Sequence, residues 1–359
     1  MKKKNVVITI TLVTIILALV LYTVLSKQPI IPKQTLEFMN GLLQKTMNKN
    51  KVNSLNRKHS VPYPLTEKQN YGTPLMTENS THILVIGSDA SGSNYDTMLI
   101  AGLDAETGEL KLVNIPRDLY IEYSETVLTK LKAKSPKTFN STPARKINAA
   151  HIIGKHIEYN KDNLRFDHSE LDFTADVVQE ILGIRIDDVM MIKPSSFRKV
   201  VDYFGGVDLE VPYLMKYSDS QQNLTINLKK GFQHLNGSQA EGFVRFRQGV
   251  NENGKKVSIG DIERKKNQNT FVKAFAKQHF TMTNLGKMVS IAKDLDEYMN
   301  TSIDSPERIG AYAKLGLTML KEDFHQTSED LSCTNFKKNS IYFLRFMTLE
   351  EREKAKEKK

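Results

Sequence analysis

Tryptophan is absent from the chain, and Cys333 is its only cysteine. No disulfide can therefore form within it, and cysteine usage says nothing decisive about compartment. The patterns of nucleic-acid readers are missing too: basic residues are not interleaved with aromatics, and neither a helix-turn-helix spacing nor a zinc-ligand spacing occurs. Yet the charge balance is basic, 51 Lys and Arg against 41 Asp and Glu, a net of +10. That implies an acidic partner: a phosphate-bearing substrate or an anionic membrane surface ahead of nucleic acid. The 359 residues suffice for one large domain or two small ones.

What is present begins with an uncharged apolar run, Val6 to Leu25, long enough to span a bilayer as a helix. Lys2, Lys3 and Lys4 before it favour a cytoplasmic N-terminus. A cleaved signal peptide is the competing reading; against it, the run exceeds a usual signal core and no small-x-small site follows Tyr22. No cysteine follows, which excludes a lipoprotein anchor. The expected organisation is a cytoplasmic tail over 1–5, a transmembrane anchor over 6–25 and an extracytoplasmic stalk over 26–80. A folded domain over 81–322 and a polar, loosely ordered tail over 323–359 complete it. Within the stalk, Leu36, Met39, Leu43 and Met47 recur at helical spacing.

The folded part is organised around His82 to Asp118. Ile83 to Ile86 is a continuous, β-branched apolar run closed by Gly87, the pattern of a strand buried on both faces. Met98 to Leu103 reads as a second strand, Glu106-Thr107-Gly108 as its turn, and Leu110 to Ile115 as a third. Asp89 and Asp96 follow the first strand, and Arg117 arrives at the end of the third. Two acids and an arginine at neighbouring strand ends can hold a divalent cation and a phosphate together. The bland alternative is that Asp89 caps a turn and Arg117 pairs with Asp118.

Leu119 to Tyr123 reads as a strand extension, and the lysine-rich stretch from Thr126 to Ser141 as a mobile surface loop. Lys146 to His151 opens a helix reaching about Glu158; His151 is a candidate base or ligand, although a lone helical histidine is more often structural. Asp167 is expected to cap a helix that Gly183 ends, with a buried strand over Asp188–Ile192. A helix stopping at Gly205-Gly206 and a strand over Val207–Val211 follow. Gly231 to Gly237 reads as a loop. Glu241 to Arg247 reads as a strand, in which Arg245 and Arg247 would share one face and could meet one anion. Gly260-Asp261 precedes a helix striped by Phe271, Val272 and Phe275, with Asp261 as its possible cap; two more helices are expected near Asn284–Asn300 and Pro306–Lys321. Strands alternating with helices predict an α/β (α+β) fold, a central mixed sheet flanked by helices.

The motifs taken together resemble the LytR–CpsA–Psr family from His82 to about Lys277. The matching stretches are Leu84 to Asp89, Asp96-Thr97-Met98, Ile115 to Asp118, Lys146 to Ala150, Val201 to Val207, Leu235-Asn236-Gly237, Val244 to Arg247, and Gly260-Asp261 with Arg264 and Gln268. Each alone is weak; their number, order and spacing make the match specific.

The resemblance implies an extracytoplasmic phosphotransferase. It would move a glycopolymer from an undecaprenyl-pyrophosphate carrier to cell-wall peptidoglycan, helped by Mg2+, in a single-pass protein of a Gram-positive-type membrane. Carried over by position, Asp89 and Asp96 would hold the metal. Arg117, Arg245, Arg247 and Arg264 would hold the phosphates, with Gln268 beside them, while Asp118 and Asp261 would orient arginines or serve as the base. Ser91, Asn94 and Asn267 stand where the family pattern carries arginine. That departure motivates an alternative, a member that binds polyprenyl pyrophosphate without turnover. An envelope-linked regulator or attenuator of transcription is a third reading, with no direct nucleic-acid contact expected.

Overall fold

A computed structural model describes residues 59–88, 95–220, 224–279, 299–303 and 325–357, apart from residue 78, together with 308, 311, 312 and 315; of Asp96 and Asp261 it describes the backbone alone. The expected anchor at Val6–Leu25, the helical spacing within the stalk and most of the two expected late helices lie outside these residues. Among the described residues no helix is long and apolar enough to cross a membrane.

A six-stranded mixed sheet forms the centre. The three expected strands, β1 (Thr81–Ser88), β2 (Tyr95–Leu103) and β3 (Glu109–Ile115), form an antiparallel meander. Gly108, at φ 71°, takes the left-handed position in the turn between the last two. Helices α1 (Glu125–Lys134), α2 (Pro136–Phe139), α3 (Ala150–His156) and α4 (Ser169–Leu182) come next, then β4 (Asp188–Ile192), parallel to β1. Helix α4 ends on Gly183 at φ 68°, as its sequence position demands. Ile153, Phe173, Val177 and Ile181 bury their side chains in the same core as Leu84, Ile86 and Ile100 of the sheet, which places α3 and α4 on one of its faces.

The second half begins with α5 (Pro194–Phe204) and runs through β5 (Val207–Val211), β6 (Met215–Asp219), β7 (Leu224–Leu228) and β8 (Gly231–Leu235). It continues through α6 (Gly237–Arg245), β9 (Gln248–Val250), β10 (Lys256–Ser258) and α7 (Gly260–His279). These elements gather around their own core of Val201, Leu209, Met215, Ile226, Phe243, Phe246 and Phe271. Strands β5 and β8 pair, as do β6 and β7, and β9 and β10. The chain then returns to the central sheet with β11 (Met299–Thr301) beside β4 and β12 (His325–Asp330) beside β3, for the order β11-β4-β1-β2-β3-β12. A hairpin of β13 (Cys333–Lys338) and β14 (Ile341–Phe346) precedes α8 (Leu349–Glu357).

The sheet and its helices bear out the expected mixed α/β core, and several local expectations need correction. The folded part starts before residue 81: Leu65, Tyr71 and Leu75 are core residues, and the Glu180 carboxylate accepts from the backbone N–H groups of Leu65 and Thr66. His59 hydrogen-bonds Asp176 at 2.7 Å, and Asp176 also accepts from Arg165 and Tyr159 at 2.8 Å each. It ends after residue 322, because the polar tail supplies an edge strand of the main sheet and buries Leu331 and Phe343.

The lysine-rich stretch after Thr126 is helical, since Ser124 caps α1 and Val127 and Leu131, one turn apart, are buried. Leu119 to Tyr123 makes isolated bridges rather than a strand. Asp167 does not cap α4; His168 holds that position while Asp167 turns the chain at φ 63°. Residues 231–235 are a strand, not a loop, and 237–245 are a helix, not a strand. The reason lies in Asn236 and Gln239, whose side chains bond each other's backbone N–H and nucleate α6.

Candidate phosphate site

The strand order brings three chain ends to one end of the sheet: the C-terminal ends of β1 and β3 and the N-terminal end of β2. Pairing of β1 with β2 is regular up to Gly87 and Thr97, then shifts, so that Ser88 faces Tyr95. Asp96 is the extra residue, a β-bulge in β2. Bulges of this kind recur beside active sites because they break the alternation of a strand and locally strengthen its twist. On the other side of β2, Met98 pairs with Ile115. Two residues beyond that pair, in opposite chain directions, stand Asp96 and Arg117. The backbone thus carries residues 88, 96 and 117 to one rim, with residue 89 next in sequence.

Asp118 is held there from two sides. Lys146 donates to its Oδ1 at 2.7 Å, and the Arg117 Nε lies 3.7 Å from its Oδ2. The Asn148 N–H donates to the Arg117 carbonyl, tying the Lys146–Asn148 turn to the end of β3. The Arg117 side chain is half exposed, which suits a cation that meets a ligand from solution. Behind this rim His151 of α3 stacks on Tyr95, with ring centroids 4.0 Å apart and planes within 18°. Both rings are buried. Burial, reinforced by Glu170, pushes the Tyr95 hydroxyl above its ordinary range, so the phenol stays neutral. His151 is thereby placed as a packing partner of the residue preceding Asp96.

The other expected residues gather where α6, β9 and α7 meet. Arg245 is not in a strand beside Arg247. It is the last residue of α6, one helical turn from Glu241, whose Oε1 accepts from it at 2.5 Å. The other oxygen of the same carboxylate accepts from Arg198 of α5 at 2.5 Å. Glu241 is buried, so the two guanidiniums bracket an acid withheld from solvent. Phe246 then turns the chain out of the helix, and Arg247 is exposed just before β9. Its carbonyl accepts from the Ile259 N–H at 2.8 Å and from the Ser258 hydroxyl, which ties β9 to the entrance of α7.

Within α7, Gln268 donates from Nε2 to the Val244 carbonyl at 3.2 Å, so it braces the end of α6 next to Arg245. Arg264 is half-buried one turn earlier. Asp261 lies in the first turn of α7. Asn267, where the family pattern carries arginine, is only 3% exposed and donates to the Tyr213 hydroxyl at 3.0 Å.

Arg117, Asp118 and Lys146 thus form one group beyond the end of β3, and Arg245, Arg247 and Gln268 a second around the end of α6. Asp89, with Ser91 and Asn94, lies outside the described residues. Among the described residues no three His, Cys, Asp or Glu side chains converge as they would on a metal. Sequence reading missed Glu241 and Arg198 because it placed 241–247 in a strand. It had Lys146 in a motif without a role; a lysine beside Asp118 had no signal in spacing, since 28 residues separate them.

The chain is 28% identical over 209 residues to the polyisoprenyl-teichoic acid–peptidoglycan teichoic acid transferase TagV of Bacillus subtilis (strain 168), a match covering 58% of this chain and 44% of that protein. It is 23% identical over 238 residues to the regulatory protein MsrR of Staphylococcus aureus (strain COL), covering 65% and 59%. The chain thus spans about half the length of the curated relatives it matches. Among solved structures, protein gbs0355 from Streptococcus agalactiae superposes with a TM-score of 0.52 at 18% identity, over 78% of this chain and 86% of that one, a likeness of fold. The LytR_cpsA_psr family matches residues 38–358, a span that includes every described residue, and the chain belongs to that family.

Proposed function

We propose that the protein is an extracytoplasmic phosphotransferase that moves a glycopolymer from an undecaprenyl-pyrophosphate carrier to peptidoglycan. The observation that carries this reading is the meeting of strand ends: the bulge at Asp96 and the end of β3 at Arg117 occupy one rim of the sheet. A site that must hold a metal ion and a phosphate needs acids and a guanidinium side by side. TagV, a relative named as a teichoic acid transferase acting on peptidoglycan, supports the same chemistry. Membership of the family agrees with the partner class.

In this reading the acceptor hydroxyl attacks the phosphorus bonded to the sugar, and undecaprenyl phosphate leaves. Arg117, Arg245, Arg247 and Arg264 bind the phosphates and take up the charge that develops on the leaving group. Gln268 braces the end of the helix carrying Arg245, and Lys146 together with Arg117 holds Asp118 in place. Asp261 or Asp118 accepts the proton of the acceptor. Asp89 and Asp96 would hold Mg2+, which when bound supplies positive charge at the phosphate oxygens. A magnesium ion suits so small a carboxylate set because it keeps several waters and substrate oxygens in its shell. The run Val6–Leu25 would anchor the chain in the membrane, with its N-terminus in the cytoplasm.

The test is transfer of labelled glycopolymer from an undecaprenyl-pyrophosphate donor to peptidoglycan by purified protein, with lipid binding measured in parallel. Arg247→Ala should slow transfer by ~10²–10³-fold, the cost of one preorganised donor, and Asp89→Ala should abolish its dependence on Mg2+. Transfer that ignores Arg117, Arg245 and Arg247 would sink the assignment. A second reading, a member that binds the lipid without turnover, is favoured by one observation: Asn267 is buried and tied to Tyr213, so no side chain at that position adds charge to the site. Lipid binding without transfer by the wild type would select it.

A further inference from the structure

A second concavity lies beside Arg247. It is a cleft of about 730 Å³ between the β6–β7 hairpin and the β9–β10 hairpin. The two hairpins press together closely. A side-chain carbon added at Gly249 would sit 2.2 Å from the Lys216 carbonyl oxygen, so the backbone of β9 approaches that of β6 with no room for any other residue. Ile226, Val250 and Val257 contribute apolar lining, together with the side-chain-free Gly249. The rim is polar and exposed: Lys216 and Lys256 bring positive charge, while Asn227, Gln248 and Ser258 bring amides and a hydroxyl. Tyr217 lends an aromatic ring, and among the described residues no acidic one lines the cleft.

We propose that this cleft binds the acceptor, a glycan strand of acetylated amino sugars bearing carboxylates. The proposal rests on the phosphotransferase reading above and extends it to the acceptor. A pyranose ring presents an apolar face for apolar lining or a tyrosine, and hydroxyl and acetamido groups for side-chain amides. The size falls in the range of sites that enclose a small molecule or a few sugar units, roughly 300–1,000 Å³. Charge decides between acceptor and donor polymer. A polyphosphate chain carries one negative charge per repeat and calls for a dense row of cations, whereas two lysines on an otherwise neutral rim match the sparse carboxylates of a glycan strand. Position agrees: Gln248 follows Arg247 directly, and Ser258, on the opposite wall, bonds the Arg247 carbonyl. A strand in the cleft therefore runs up to one of the arginines that would hold the phosphate, where its hydroxyl must arrive.

The experiment compares three probes on the full chain. They are soluble uncrosslinked peptidoglycan fragments, a glycerol phosphate polymer, and farnesyl pyrophosphate as a short polyprenyl pyrophosphate. Two variants alter exposed rim positions only: Lys216→Glu with Lys256→Glu, and Asn227→Trp, which fills the cleft and gives the tryptophan-free chain a single indole reporter. Peptidoglycan fragments should bind the wild type, and the double variant should bind them at least about tenfold more weakly, since like charges then face the carboxylates. Fragments added to Asn227→Trp should bind weakly as well and leave the indole emission unmoved, while farnesyl pyrophosphate affinity stays the same in every variant. Equal fragment binding by wild type and both variants overturns the proposal, as does a preference of the cleft for the glycerol phosphate polymer. Loss of farnesyl pyrophosphate binding by the wild type, with cleft-dependent fragment binding kept, overturns the phosphotransferase reading while upholding the glycan cleft.

Discussion

Glu241 accepts hydrogen bonds from Arg245, four residues on in the same helix, and from Arg198 of the neighbouring helix, one on each carboxylate oxygen. A buried acid shared between two guanidiniums fixes both forks, and neither arginine can turn without breaking a charge-assisted bond. Glu241→Gln keeps the shape and removes the charge, leaving two guanidiniums side by side. Urea unfolding should report a loss of about 1–3 kcal/mol, the usual cost of disrupting a buried charged hydrogen bond. A variant as stable as the parent would mean that solvent already serves both arginines.

Lys146 and Arg117 compete for Asp118, and Lys146 is much the nearer, at 2.7 Å against 3.7 Å. Lys146→Met removes the stronger partner and draws Arg117 onto Asp118. Affinity for inorganic pyrophosphate, measured by calorimetry, should fall by about 3–10-fold, while stability changes by less than about 1 kcal/mol because both partners are partly exposed. Asp118→Asn in the Lys146→Met background should restore the affinity, since the acid that captured Arg117 is gone. No recovery would place the defect elsewhere.

Asn267→Arg returns the residue type that the family pattern carries, into a position with little room. Asn267 is buried and gives its amide to Tyr213. The longer cation loses that bond and must displace neighbours, so a fall of about 1–3 kcal/mol in stability is expected. Thermal melting tests this directly. An unchanged midpoint together with tighter pyrophosphate binding would show that the side chain reaches the site after all.

His82 links stability to pH. Its ring is buried and its Nδ1 hydrogen-bonds the Arg185 carbonyl at 2.7 Å. Burial lowers its pKa below the ordinary 6.5, opposed by the Asp187 charge and by the hydrogen bond to the Arg185 carbonyl, while the Arg185 charge adds least. The unfolded chain therefore takes up a proton at a higher pH than the folded one. Stability from this group is complete above 6.5 and is lost as pH falls through the folded value. Melting temperature should decline from pH 7 towards pH 5 more steeply for wild type than for His82→Gln. Parallel profiles would remove His82 from the account.

The central meander was legible because its signals are local. A β-branched run closed by Gly87, an acid-glycine turn and helices ended at Gly183 and Gly205 each announce themselves within a few residues. Around the candidate site, Arg117 does follow the third strand, and its ion pair with Asp118 is the one the bland alternative expected. Which neighbours these residues acquire depends on register and on distant segments. The bulge at Asp96 exists only relative to β1, and Lys146 meets Asp118 because a turn docks on β3. The strand drawn through Glu241 to Arg247 failed for a different reason. An Asn-x-x-Gln cap was present at Asn236 and Gln239, but the apolar spacing that follows is too short to separate a helix from a strand. The end of the chain was misjudged because β12 is a polar strand, recognisable only by its place at the sheet edge, while the short apolar run of β14 buries Phe343.

Strand β12 closes the sheet from far away. Asn114 on β3 donates to Asp330 on β12 across 216 residues of chain. Until residue 330 has been delivered, β3 is an open edge with its backbone unpaired on one side, a template for strands of other chains. Closing so long a loop is slow, and a contact this remote in sequence is among the last to form. A chain that emerges N-terminus first must therefore pass through a form with a finished meander and an exposed border. Early termination anywhere before β12 leaves that border permanently uncovered. The vulnerable moment in the life of this protein is its delivery, and the segment that ends it is the polar strand β12.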